Sequence, residues 1–186
     1  MRRDFEAQLA LGNMGELLVS RWLQSQGCGV LPGYDFSGGD GEKAPRLHFS
    51  DGGKVIPDLD VCRSGGRFWV EVKTFWAPAH NRSRGMMVHG VKARLLNEYA
   101  EVERATGTPV FVFVLEVESG VLLSAALKSI NRVGFACQCG GCRQGRCFSV
   151  PRAARYWPRS AMAPRHQFSE AEMSPLRTDW LARATT

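Results

Sequence analysis

The sequence has no apolar run long enough to span a bilayer and no signal-peptide pattern, since Met1 is followed at once by Arg2, Arg3 and an acid. The expectation is a cytoplasmic protein with no membrane partner, whose six cysteines serve as thiols or metal ligands rather than disulfides. No internal repeat is present, which excludes a solenoid. Acidic residues are missing over a long stretch. Between 119 and 169 there is no Asp or Glu, while Lys128, Arg132, Arg143, Arg146, Arg152, Arg155, Arg159 and Arg165 all fall there. With a formal charge of +6, this asymmetry points to a polyanionic partner, nucleic acid first, or to a plain basic surface. Within the glycine-rich 31–53 region, Asp35, Asp40 and Asp51 lack the spacing of a metal-binding loop and read as turn formers.

What is present suits one α/β domain with a proper core. Residues 4–26 predict a helix, with Leu11, Met14, Leu18 and Trp22 at helical spacing and Gly27 as its stop. Glu16 lies on that helix near Leu9, Val19 and Leu23. An acid among apolar neighbours has a partner, has a job, or reaches water from the edge of the stripe. Residues 46–49 predict a short strand, 75–90 an irregular segment, 91–106 a helix with Leu95, Leu96 and Val102 on its buried side and Gly107 at its end. The run 110–117, VFVFVLEV, has the length and composition of a strand covered on both faces. A further strand is expected over 121–127, and a helix over 169–184 that opens on a capping box of Ser169 and Glu172.

The most informative stretch runs from Val55 to Thr74. Two strands, 54–61 and 67–74, are joined by a turn over 63–66, RSGG. Alternation places Phe68, Val70, Val72 and Thr74 on one face of the second strand and Trp69, Glu71 and Lys73 on the other. In the first strand Asp58 and Asp60 share a face. A Ser64-Gly65 turn sets Asp58 opposite Glu71; a Gly65-Gly66 turn sets Asp60 there and Asp58 opposite Lys73. Either register brings two carboxylates together, and like charges directly opposite are destabilising. A cation between them would remove that cost.

The order Pro57-Asp58, hairpin, Glu71-Val72-Lys73 resembles the signature of the PD-(D/E)XK nuclease superfamily, which includes restriction endonucleases and Holliday-junction resolvases. GELLVSRWLQSQG, which begins at Gly15, resembles the first helix of many members, in which a glutamate corresponding to Glu16 reaches the metal site. The resemblance implies a restriction-endonuclease-like core, a mixed central β-sheet flanked by helices. It also implies a Mg²⁺- or Mn²⁺-dependent DNA endonuclease. Asp58, Glu71 and the Val72 carbonyl would be the metal ligands, Glu16 would bind a second metal or a metal-bound water, and Lys73 would act on the water or the phosphate oxygens. Asp60 rivals Asp58, and one and two metals both remain open. The Gln-x-x-x-Tyr motif of some exonucleases is absent, because Leu95 stands where the glutamine would precede Tyr99. Lys92 and Arg94, with Arg82 and Arg84 upstream, are candidates for DNA backbone contacts.

Residues 1–130 are expected to form this core, and 131–186 a basic Cys-rich loop and C-terminal helix appended to the same domain. Cys137, Cys139, Cys142 and Cys147 crowd into the loop beside Arg143 and Arg146. Their spacing leaves two outcomes open: a structural Zn²⁺ held by three of them with Cys137 or His166, or free thiols. An iron–sulfur cluster using Cys28 with the last three cysteines is disfavoured. The arginines are candidate phosphate contacts. Cutting two strands with one site per subunit implies a homodimer. The alternative from another class is a non-catalytic, zinc-containing nucleic-acid-binding protein on the same fold.

Overall fold

A computed structural model describes residues 2–33, 46–50, 52–136 and 154–184. Helix α1 (Arg2–Ser25) ends as expected at Gly27, whose positive φ of 78° lets the Cys28 amide return to the Leu23 carbonyl. Among the described residues twelve strands follow in chain order: β1 (Gly29–Pro32), β2 (Arg46–Phe49), β3 (Gly52–Val55), β4 (Leu59–Arg63), β5 (Gly66–Phe75), β6 (Ala79–Asn81), β7 (Met86–Lys92), β8 (Val110–Glu116), β9 (Val121–Ala126), β10 (Phe135–Ala136), β11 (Ala154–Pro158) and β12 (Ala163–Gln167). Helix α2 (Ala93–Thr106) precedes β8, α3 (Leu127–Val133) follows β9, and α4 (Glu170–Ala184) closes the chain.

The central sheet runs β1-β4-β5-β8-β9-β12, with β5 and β8 parallel and every other pair antiparallel. It is an α/β fold with a mixed sheet between helices, as expected. The β5–α2–β8 crossover makes the parallel pair, because parallel neighbours need a long return path. β8 is covered on both faces. Phe113 and Leu115 join α1 and α4 residues such as Val19, Leu23, Met173 and Leu176 in one core, while Val110, Val112 and Val114 join Leu96, Tyr99 and Val102 of α2 and Ile130 of α3 in the other. Each fully buried Leu or Val contributes about 1.5–3 kcal/mol. Ser169 and Glu172 form the expected capping box, the Glu172 carboxylate accepting from the Ser169 amide and hydroxyl.

Three expectations are corrected. The strand expected over 54–61 is two strands in different sheets: among the described residues β3 pairs with β2 alone, and β4 begins at Leu59. Pro57 lacks the amide a continuous ladder needs, and the Asp58 carbonyl instead accepts from the Gly33 amide at 2.6 Å. The region 75–90 is not irregular. β6 and β7 join β11 and β10 in a second, four-stranded antiparallel sheet, ordered β10-β11-β7-β6. Its partner strand β11 lies more than sixty residues downstream of β7, beyond the reach of any local pattern. Finally, β1, which pairs with β4, runs into the first residues of the 31–53 region. The turn-former aspartates Asp35, Asp40 and Asp51 lie outside the described residues.

Candidate active site

β5 outgrows its hairpin partner. Arg63 opposes Gly66, so the turn is Ser64-Gly65, and pairing with β4 ends at Leu59 opposite Val70. Among the described residues, β5 is paired from Glu71 onward with β8 alone. No described strand pairs with its other edge, and two backbone groups of Val72 face that edge, since the N–H and C=O of one strand residue point the same way. The Asp58 side chain caps that edge, its Oδ2 accepting the Val72 N–H at 2.7 Å. A carboxylate fixed by a backbone amide is held as a ligand should be, and it leaves the other oxygen for a further partner.

The register gives the two aspartates different surroundings. Asp60 opposes Trp69 and forms a two-toothed ion pair with Arg67 near the hairpin turn. Its charge is matched there, away from Glu71. Asp58, immediately before β4, reaches the Glu71 side of the sheet edge, and its negative charge is felt by both Glu71 and Lys73.

Glu71 is 2% exposed. Burial pushes its carboxyl up to about 7 and the neighbouring Asp58 charge adds to the rise, against the pull of Lys73 and of a hydrogen bond from Tyr99. Lys73 contacts Glu71 Oε1. Burial alone would lower its pKa, but the charges of Glu71, Asp58 and Glu16 outweigh that and raise it, so the amine stays an ammonium. Three carboxylates and one lysine leave the cluster with more negative charge than its own cation can match.

Glu16 is 6% exposed on the stretch of α1 that packs against β5. The close approach is made at Gly15, where a Cβ would lie 2.0 Å from Thr74 Oγ1. Only glycine lets the helix come this near the strand, and it brings Glu16 within electrostatic reach of Lys73. Among the described residues no three His, Cys, Asp or Glu side chains converge into one ligand group. The oxygen donors near this edge are Asp58, Glu71 and the Val72 carbonyl, and Glu16 is within electrostatic reach of Lys73.

Such hard oxygen donors fit Mg²⁺ or Mn²⁺. The raised pKa of Glu71 is the mark of a carboxylate short of positive charge, which a divalent cation would supply. Tyr99 was missed from sequence, where it served only to judge a motif. Its signal was the apolar stripe of α2, in which it occupies the buried position between Leu96 and Val102.

The candidate nucleic-acid contacts lie on the β6–β7 turn and at the start of α2. Arg82 and Arg84 are exposed at the β6–β7 turn, with the Arg84 guanidinium 3.9 Å from the Phe135 ring centre. Lys92 is exposed at the N-cap of α2, and Arg94 pairs with Glu98 at 3.3 Å. Cys137, Cys139, Cys142, Cys147, Arg143 and Arg146 lie outside the described residues. Of the other two ligand candidates, His166 stacks on Trp22 and Cys28 is buried in the α1 core. No described helix is long and apolar enough to cross a membrane.

No protein-family model matches the chain, and no curated protein does. Among solved structures, it is similar to Hjc of Archaeoglobus fulgidus, a Holliday junction resolvase from an archaeal hyperthermophile. That likeness has 10% identity and a TM-score of 0.49, covering 81% of this chain and 85% of that one. A fusselovirus nuclease matches at 14% identity and a TM-score of 0.39, covering 94% and 91% respectively. Neither likeness bears on the chemistry, which rests on the side chains described above.

Proposed function

We propose that the chain is a metal-dependent DNA endonuclease that hydrolyses phosphodiester bonds. The observation that carries this is the pairing of Asp58 with a buried Glu71, whose carboxyl is lifted to about 7, beside the ammonium of Lys73 at an open strand edge. Asp58, Glu71 and the Val72 carbonyl would hold Mg²⁺ or Mn²⁺. When bound, the metal would make a water nucleophilic at neutral pH and offset charge on the phosphate.

The remaining roles fall to the chain's own groups. Lys73, held charged by three carboxylates, pairs with a phosphate oxygen and stabilises the charge that builds on it. Asp58 is fixed by the Val72 amide, so it presents one oxygen in one direction without reorganisation. Glu71, titrating near neutrality, releases its proton as the site takes up positive charge. Glu16 keeps Lys73 protonated and orients it. Arg82, Arg84, Lys92 and Arg94, together with Arg143 and Arg146, grip the DNA backbone, and two copies of the chain act on two strands. The cysteine-rich segment is either a structural Zn²⁺ site that uses Cys139, Cys142 and Cys147 with Cys137 or His166, or a set of free thiols, and metal analysis of the purified protein distinguishes the two.

Purified protein is incubated with supercoiled plasmid and with a four-way junction, with Mg²⁺, with Mn²⁺ and with chelator. Metal-dependent cleavage that disappears in Asp58→Ala and Glu71→Ala is the expected result. Plasmid cleavage indicates restriction-like action and junction cleavage resolvase-like action. If both variants cut as well as the parent, the assignment is wrong. Binding without cleavage by the parent favours the non-catalytic alternative.

A further inference from the structure

A second site lies on the other face of the central sheet. The first residues of β5 and β8 extend past α1 and α4, so Phe68 and Phe111 are half-buried where Val70 and Leu115 farther along are fully buried. With Trp22 of α1, and Phe113 as the floor, they line an open groove of about 700 Å³. The rings are fixed at angles to one another. Phe68 and Phe111 meet edge to face at 5.6 Å, and Trp22 and Phe113 are tilted by 56° at 6.0 Å.

The rim is cationic. Arg63 is exposed, and Arg165 donates to the Ser124 hydroxyl at 2.6 Å, a neutral acceptor, with no ion pair to an acid among the described residues. Arg67, also at the rim, is matched by Asp60. No acidic side chain lines the groove among the described residues. An apolar partner seated here would desolvate two arginines without neutralising them, which is costly. A ligand with flat rings on an anionic backbone answers both features at once.

We propose that this groove binds single-stranded nucleic acid, with bases packed on Phe68, Phe111 and Trp22 and phosphates paired with Arg63 and Arg165. Every base has a π-face, so stacking on aromatic rings together with arginine contacts gives binding without sequence preference. The groove opens beside the β4–β5 turn, on the face opposite Glu71 and Lys73. Its binding is therefore separable from hydrolysis.

The test uses the full chain, a fluorescein-labelled dodecathymidylate and fluorescence anisotropy in EDTA, so that no cleavage intervenes. Phe111→Leu keeps apolar bulk but removes the π-face, and Arg165→Gln removes the charge. Thermal melting verifies that both fold. The parent is expected to bind, with affinity falling as salt rises. Each variant should bind about tenfold more weakly, while affinity for a duplex of the same length is unchanged.

Failure of the parent to bind, or two folded variants that bind like the parent, would overturn the proposal. So would an equal loss of duplex affinity. Sedimentation that finds a dimer dispersed by Phe111→Leu would assign the groove to a second copy of the chain and overturn it as well. Failure of the hydrolytic reading would show separately, as binding by a parent that never cleaves.

Discussion

Two glutamates lie on the same face of the central sheet, both 2% exposed, and their carboxyls are driven in opposite directions. Glu71 of β5 is pushed up to about 7. Glu116, at the end of the neighbouring β8, is held down at about 2. Burial acts to raise both. At Glu116 it is outweighed: His89 Nε2 lies 3.0 Å from Oε1, Arg159 donates to both oxygens at 2.6 and 2.8 Å, and the Ser119 hydroxyl donates to Oε2 at 3.1 Å. Glu71 has Lys73 and Tyr99, but it also has the Asp58 charge beside it. A buried carboxylate whose partners exceed its needs is a cross-link. One left short of positive charge is a place for a cation. Here the cross-link ties β8 to His89 of the second sheet and to Arg159 just beyond β11, two residues along the strands from Lys73.

Glu71→Gln should break the comparison most strongly. Plasmid or junction cleavage is expected to fall by about 10³-fold, and the rise in melting temperature that Mg²⁺ is expected to give the parent should be lost. The same variant sharpens the electrostatics. Between the ordinary carboxyl value of 4.5 and about 7 the folded protein holds a proton that the unfolded chain has released. Stability therefore declines as pH rises through that window, by about 3 kcal/mol in all. In Glu71→Gln the decline should vanish, which denaturant titrations at pH 5 and 8 would show.

Glu116→Gln is expected to act the other way. Removing one member of a buried ionic cluster costs about 3–5 kcal/mol, read as a lower melting temperature at neutral pH. The depressed pKa of Glu116 contributes stability that is present above 4.5 and lost as pH falls toward 2. That acid-side loss should be shallower in the variant. If Glu116→Gln left stability untouched while Glu71→Gln lowered it, the assigned roles would be reversed.

Gly15→Ala probes the placement of Glu16. With 2.0 Å between the new Cβ and Thr74 Oγ1, α1 must move off β5, at about 1–3 kcal/mol. Cleavage should fall with it, and the double variant with Thr74→Gly should recover both quantities in part. An isolated Gly15→Ala with parental stability and activity would disprove the close-contact account. The smallest effect is expected for Tyr99→Phe. Loss of one hydrogen bond should raise the Glu71 pKa further and shift the pH-activity rise upward, with a stability change of about 1 kcal/mol.

The two glutamates also differ in how legible they were. Glu71 was marked by its parity with Lys73 and by the resemblance to a known nuclease signature. Glu116 stood unremarked in VFVFVLEV, although a lone acid in a strand covered on both faces must have a partner. That partner, Arg159, lies 43 residues away, too far for any local rule. Parity left Asp58 and Asp60 equal candidates. Register separated them, together with the break at Pro57 that takes Asp58 out of the ladder and lets it cap Val72.

The sequence by itself determined which side chains share a face of β5, where α1 and α2 end and α4 begins, and that a buried strand starts at Val110. Those follow from the fixed periods of helix and strand and from local caps. Tertiary structure alone decided that β5 outruns β4 to leave an open edge, that Tyr99 and Glu16 arrive there from two helices, and that β6, β7, β10 and β11 form one sheet. Such facts depend on contacts between residues far apart in the chain, which no period records.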